Sequence, residues 1–233
     1  MKRKTYKILL VILIIIIAIN STIIIFSLNS NNVYDVSIVG SNENGTVYKI
    51  VAGNNNSKDT VGIILGIHPR ENEIHKAVNQ TIYDCASPDG SHNLSKKYVI
   101  YYVKVNDNIS SRADTREAGE SLGEQYIVPN MAKDNPFIVV DIHEIDVNYE
   151  YSDFIYAVDS NNSVAQNYSK ILSKELKIGN FNFTEGTSPQ RISIPLAHQG
   201  LNVLLLETCI TNSLKEKQQK ANNIIYTLDN LNP

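Results

Sequence analysis

Val61-Gly62-Ile63-Ile64-Leu65-Gly66-Ile67-His68-Pro69-Arg70-Glu71 passes from an uninterrupted apolar run into a histidine, a proline and two charged residues. An apolar run without alternation is the pattern of a strand covered on both faces, as in the middle of a parallel sheet. From Glu71 to Asp84 the pattern changes, with Ile74, Val78 and Ile82 at four-residue spacing on one face of a predicted helix. His68 and Glu71 therefore fall where a buried strand hands over to a helix, the place at which open α/β sheets hold ligands.

The same alternation continues outward. Val47–Ala52, Tyr98–Val105, Pro136–Ile142, Phe154–Val158 and Val203–Leu206 have strand-like composition, and Thr115–Ala132, Ala165–Leu176 and Leu214–Leu228 have helical periodicity. Strands and helices in alternation predict an α/β domain with a mixed, mostly parallel sheet sandwiched between helices. The expected organisation is an anchor over residues 1–28, a Ser/Asn-rich stalk over 29–44 and one domain over 45–233.

The anchor is predicted from Lys2, Arg3, Lys4 and Lys7 followed by Ile8 to Leu28, a charge-free run of 21 residues. That length matches a helix crossing the hydrocarbon core of a bilayer. A cleaved signal peptide would have a shorter apolar region ending in a small-residue cleavage site. Basic residues on the N-terminal side alone put the first residues in the cytoplasm and the remainder outside, a single-pass cell-membrane arrangement.

All 24 acidic residues and 17 of the 21 Lys and Arg lie beyond Leu28, which leaves that part of the chain formally −7. Such a surface does not favour nucleic acid or an anionic membrane face. Cys85 and Cys209 could form one disulfide outside the cell or remain two free thiols. Eight Asn-x-Ser/Thr sequons beyond the anchor suit a surface protein, although a chain this rich in Asn and Ser produces many by chance.

The second chemically informative stretch is Phe137-Ile138-Val139-Val140-Asp141-Ile142-His143-Glu144. It is again a buried strand with an acid and a histidine at its carboxyl end. Asp141 and His143, two apart, share one side of the strand, so the carboxylate can orient the imidazole. Two imidazoles and one carboxylate, two of them close in sequence and the third distant, make the His₂Glu donor set of zinc hydrolases, with a fourth position left for water. Glu207, ending the apolar run Leu201-Asn202-Val203-Leu204-Leu205-Leu206, is the candidate base.

The ordered set His68-x-x-Glu71, Asp141-x-His143 and a late strand ending in Glu207 resembles the zinc carboxypeptidase superfamily, particularly its compact succinylglutamate desuccinylase and aspartoacylase branch. The resemblance covers Val61 to Thr208. It implies one Zn²⁺ held by His68, Glu71 and His143, with Glu207 as the catalytic glutamate and an eight-stranded mixed sheet between helices. It implies hydrolysis of a peptide or acyl-amide bond beside a carboxylate, with a peptide or an N-acyl amino acid as substrate. Arginines and an asparagine between the metal segments grip that carboxylate in the family, and Asn106, Arg112 and Arg116 are the candidates here. The family's Asn-Pro-Asp-Gly and tandem Asn-Arg signatures are absent, as is a tyrosine that can be matched to the one some members hold over substrate. Arg191 and His198 are assigned to structure, and His75 and His92 to the surface. The alternatives are a deacylase of small N-acyl amino acids and a non-catalytic surface module.

Overall fold

A computed structural model describes residues 32–87, 90, 94–149, 151–181 and 188–233, with positions 12 and 15. The predicted anchor lies outside the described residues apart from those two positions. Among the described residues no helix is long and apolar enough to cross a membrane. The chain divides into residues 1–31 and a folded unit over Asn32–Pro233.

The folded unit contains one eight-stranded sheet. In chain order its strands are β1 (Asn32–Asn42), β2 (Gly45–Asn54), β3 (Thr60–Leu65), β4 (Lys97–Val105), β5 (Ile138–Ile145), β6 (Phe154–Ala157), β7 (Gly179–Asn180) and β8 (Val203–Cys209). In space the order is β1-β2-β4-β3-β5-β8-β6-β7. The central strands β4, β3, β5 and β8 are parallel, and β2 and β6 flank them antiparallel. The sheet is therefore mixed, with a parallel centre. All six residues of β3 and all eight of β5 are buried, which is why both are apolar without alternation.

Six helices cover the two faces: α1 (Asn72–Ala86), α2 (Arg112–Leu122), α3 (Val128–Met131), α4 (Ser163–Leu176), α5 (Ile194–His198) and α6 (Leu214–Asn230). Ile63 and Leu65 of β3 pack with Ile74, Val78 and Ile82 of α1 and Ile224 of α6. Ile64, pointing the other way, packs with Leu122 of α2, Met131 of α3 and Leu196 of α5. Each such aliphatic side chain, fully buried, contributes roughly 2 kcal/mol of transfer free energy.

After β3 the chain goes through α1 to β4 on one side, then through α2 to β5 on the other. β4 and β5 thus flank β3, reached by helices on opposite faces of the sheet, and the crevice opens at the carboxyl end of β3. α2 begins at Arg112, where the Ser111 hydroxyl accepts a hydrogen bond from the Asp114 backbone N–H. It runs on through a π-helical turn, Gly123–Ile127, into α3. Pro129 explains the widened turn, since it has no N–H to donate back to residue 125. At Gly119 a Cβ would stand 1.9 Å from the Ile67 carbonyl oxygen. Only glycine lets α2 lie directly on the backbone before His68.

Two expectations are corrected. Residues 32–42 of the predicted stalk form β1, antiparallel to β2 from Asn32↔Asn54 to Asn42↔Gly45. Their Ser and Asn content suggested a linker, but Val33, Tyr34, Val36, Ile38 and Val39 have high strand propensity, and β2 offers them an open edge. Arg112, three residues before the predicted helix start at Thr115, opens the helix. The segment before β8, for which no element is predicted, is helical, with a π-helical turn at Pro189–Ser193 leading into α5. Cys85 and Cys209 are both free thiols.

Candidate metal centre

His68 leaves the end of β3 and precedes a single 3-10 turn, Pro69–Glu71, whose proline occupies the first helical position. The turn folds the Glu71 carboxylate back onto His68, with Glu71 Oε1 2.8 Å from His68 Nδ1. The other oxygen, Oε2, lies 3.0 Å from His143 Nδ1 and accepts from the Glu144 backbone N–H at 3.2 Å. The two imidazole Nδ1 atoms are 3.2 Å apart. His68, Glu71 and His143, all buried, are the metal-capable cluster found among the described residues.

The outer nitrogens decide what the inner ones can do. His143 Nε2 lies 2.9 Å from Asp141 Oδ1, and His68 Nε2 lies 3.1 Å from Glu120 Oε1. A carboxylate only accepts, so on a neutral ring the proton sits on Nε2 and the Nδ1 lone pair faces inward. Two lone pairs and a carboxylate then converge on one point, and the arrangement calls for positive charge at its centre. The titration behaviour agrees. Burial disfavours charge on His143, yet the flanking Asp141 and Glu71 carboxylates push its pKa well above the ordinary value. Burial raises Glu71, but hydrogen bonds to His143 and His68 outweigh it and hold the carboxyl well below the usual carboxylate range. The separations of 2.8 to 3.2 Å are close to the edge of about 3.3 Å expected for tetrahedral bonds of about 2.0–2.1 Å. The donor set fits a divalent cation such as Zn²⁺.

Glu207 pairs with His143 across β5 and β8 and lines the same cleft. Its Oε2 is buried without a hydrogen-bond partner. Burial pushes the carboxyl up to about 8; His143 opposes this, while Glu71 and Asp141 add to it. Arg112 and Arg116 line the cleft on the α2 side. Arg116 Nε is 3.2 Å from Glu120 Oε1 and its Nη1 is 3.9 Å from Glu71 Oε1, whereas Arg112 is exposed. Asn106 is placed elsewhere, correcting its assignment to the substrate. Its side-chain amide donates to the Glu43 carbonyl at 2.9 Å, tying β4 to the β1–β2 turn. Arg191 bridges Glu117 and Glu124, the structural role expected of it, and His198 is exposed at the end of α5.

Two neighbours of the candidate site residues are not evident from the sequence. Glu120 is 2% exposed and sits one residue beyond the close contact of Gly119 with Ile67, which carries it to His68. The sequence gives no signal for it, because Glu120 shares its helix face with Glu117 and Glu124 and reads as one of a row of solvated carboxylates. Ser193 donates to Asp141 Oδ2 at 2.5 Å from a segment that carries no predicted element.

His75 is a further correction: expected on the surface, it is 0% exposed. His92 lies outside the described residues. Burial lowers the His75 pKa to about 4, with Glu71 opposing the shift. The folded ring thus stays neutral while the unfolded chain takes up a proton near 6.5. Between those values the unfolded state binds more protons, and stability falls as pH drops from 6.5 toward 4. In the metal-free protein this amounts to about 2 kcal/mol by pH 5. Denaturant unfolding of native chain and His75→Gln at pH 7.5 and 5 should show a loss larger in the native chain by about that amount. Equal losses would remove His75 as the cause.

No family model matches the chain, and no curated protein matches it in sequence. Solved structures do resemble it. A metallo-carboxypeptidase from Burkholderia cenocepacia superposes with TM-score 0.58 at 11% identity, covering 90% of this chain and 66% of that one. The murein-tripeptide amidase MpaA from Escherichia coli O157 gives TM-score 0.56 at 12% identity, covering 85% of this chain and 92% of that one. An aspartoacylase family protein from Mesorhizobium loti gives TM-score 0.50 at 12% identity, covering 86% and 68%. The chain spans just under two thirds of the length of the Burkholderia enzyme. Identities this low establish architecture alone, and the chain has the fold of the metallo-carboxypeptidases, shared with amidase and aspartoacylase-family structures.

Proposed function

We propose that the chain is a zinc-dependent hydrolase that cleaves a peptide or acyl-amide bond next to a carboxylate. The observation that carries this reading is one cleft lined by the inward-facing His68, Glu71 and His143 set, the buried Glu207 carboxylate and the guanidinium groups of Arg112 and Arg116. A bound Zn²⁺ supplies Lewis-acid polarisation of a carbonyl and a water of lowered pKa. The protein's own groups do the rest. Glu207 Oε2, buried and unpartnered, takes a proton from water and returns it to the leaving nitrogen, and its raised basicity suits a base working near neutral pH. Arg112, at the exposed mouth, grips the substrate carboxylate in a bidentate contact. Arg116, closer in beside Glu71, offsets negative charge that develops at the scissile carbonyl.

Asp141 and Glu120 keep the Nε2 proton on each ligand imidazole, so that Nδ1 remains a donor. The reading extends to location. The 21-residue apolar run with basic residues on one side supports a single-pass anchor and a domain outside the cell membrane, where envelope peptides are substrates within reach. Retention in carbonate-washed membranes, and release of the domain by protease added to intact cells, are the expected results. A fully soluble chain would end this part of the proposal.

The activity is tested on the full chain in detergent, loaded with one equivalent of zinc. It is assayed against peptides with a free C-terminal carboxylate and against N-acyl amino acids. Release of amine that a chelator abolishes and zinc restores is expected from one of the two sets, and the set decides between peptidase and deacylase. No hydrolysis of either by the loaded protein would leave a metal-holding surface domain.

A further inference from the structure

β3 and β5 are paired through Ile64↔Asp141, and the ladder stops there. β3 ends at Leu65, and Gly66 turns away with φ 81°, where an added Cβ would stand 2.2 Å from the Val103 carbonyl oxygen. The two strands therefore part just before the residues that carry the ligands. The side chain of His75, reaching in from the first turn of α1, occupies the gap. Its Nδ1 accepts from the Gly66 backbone N–H at 3.2 Å, and its Nε2 donates to the Ile142 carbonyl at 2.8 Å. With an N–H facing one nitrogen and a C=O facing the other, the neutral ring protonated on Nε2 satisfies both. The imidazole replaces the missing rung of the ladder. Its attachments lie two residues before His68 and one before His143.

We propose that His75 is a positioning residue for the metal ligands, its ring setting the separation of the two strand ends from which His68 and His143 project. A direct ladder would hold those backbones about 4.8 Å apart. An imidazole bonded through both nitrogens holds them wider, leaving room for Glu71 to fold back between the two ligand rings. Ligand sets tolerate errors of only about 0.5 Å, so the width of this gap bears directly on metal affinity. The inference rests on the metal-centre reading above.

The test is zinc affinity of the full chain, measured by competition with a chromophoric chelator, with the absorption spectrum of the cobalt-substituted protein as a readout of ligand geometry. The variants are His75→Leu and His75→Gln, whose amide keeps one donor and one acceptor. His75→Leu is expected to weaken zinc roughly 10–100-fold, the range found for lost partners of metal ligands, and to alter the cobalt spectrum. His75→Gln is expected to recover most of both. Affinity of His75→Leu within threefold of native with an unchanged spectrum overturns the role. Equal loss in both variants, tracking an equal loss of metal-free stability, also overturns it and leaves His75 as core packing. If His75→Leu does not fold, His75→Ala, which likewise cannot bridge the Gly66 N–H and the Ile142 carbonyl, takes its place: weakened zinc with an altered cobalt spectrum supports the role, and native values of both overturn it. Failure of the native chain to bind zinc at all would instead remove the metal-centre reading, and this inference with it.

Discussion

Glu207→Gln is expected to keep its metal and its fold while losing hydrolysis by roughly 10²- to 10⁴-fold, the range contributed by a positioned acid–base group. The substitution preserves shape. Glu207 Oε2 has no hydrogen-bond partner to lose, and at neutral pH the metal-free protein already holds this carboxyl largely protonated because its pKa is pushed up to about 8. An amide in its place therefore leaves stability near native and removes only the ability to take a proton. The loss should appear in kcat with KM close to native, since no substrate contact is removed. In the native enzyme the rate should rise with pH as Glu207 ionises, and the midpoint should lie below 8 when a cation is bound, because nearby positive charge favours the carboxylate. Steady-state kinetics of the two proteins across pH 5–9 settle the matter. Turnover of the glutamine variant within threefold of native would remove Glu207 from the chemistry.

His143→Ala should lower bound zinc from about one equivalent to none, by a loss of affinity exceeding the roughly 100-fold typical of partners behind the ligands. His143 presents a ligand atom close to both other donors, at 3.0 Å from Glu71 and 3.2 Å from His68. Without it the remaining pair is an ordinary His–carboxylate contact. The metal-free fold should survive, because Asp141 keeps the Ser193 hydroxyl as a donor. Mass action adds a second consequence. Zinc at about 1,000 times its Kd should stabilise the native protein by about 4 kcal/mol and leave the alanine variant unmoved. Elemental analysis of both proteins, with melting curves in zinc and in chelator, provides the comparison. Equal zinc in the two would place the metal elsewhere.

The candidate ligands are legible in the sequence because they obey local rules. An apolar run such as Val61 to Ile67 must be covered on both faces, so the residues just after it lie at a sheet edge where a cleft can form. Asp141 and His143, two apart on a strand, share a side whatever surrounds them, and the structure brings them to 2.9 Å. The same register logic set Glu207 at the end of a parallel strand, and β8 pairs it with His143. Asn106 shows the limit of this reasoning. It comes after a strand at the right point in the chain, but the close of the β1–β2 turn offers its amide a carbonyl at 2.9 Å, and it is held there, away from the cleft.

The layered α/β architecture, the three candidate ligands and the candidate base can all be read from local sequence. Each depends on periodicity and spacing within one strand or one turn. The tertiary structure alone decided the partners of those ligands: Glu120 on His68, 52 residues away; Ser193 on Asp141, 52 residues away; and His75 between Gly66 and Ile142. Such contacts depend on how far a helix slides and how closely it approaches the sheet. Here that is fixed by the packing of side chains from several elements and by the absence of a Cβ at Gly119 against Ile67, a distance that no single stretch of chain encodes.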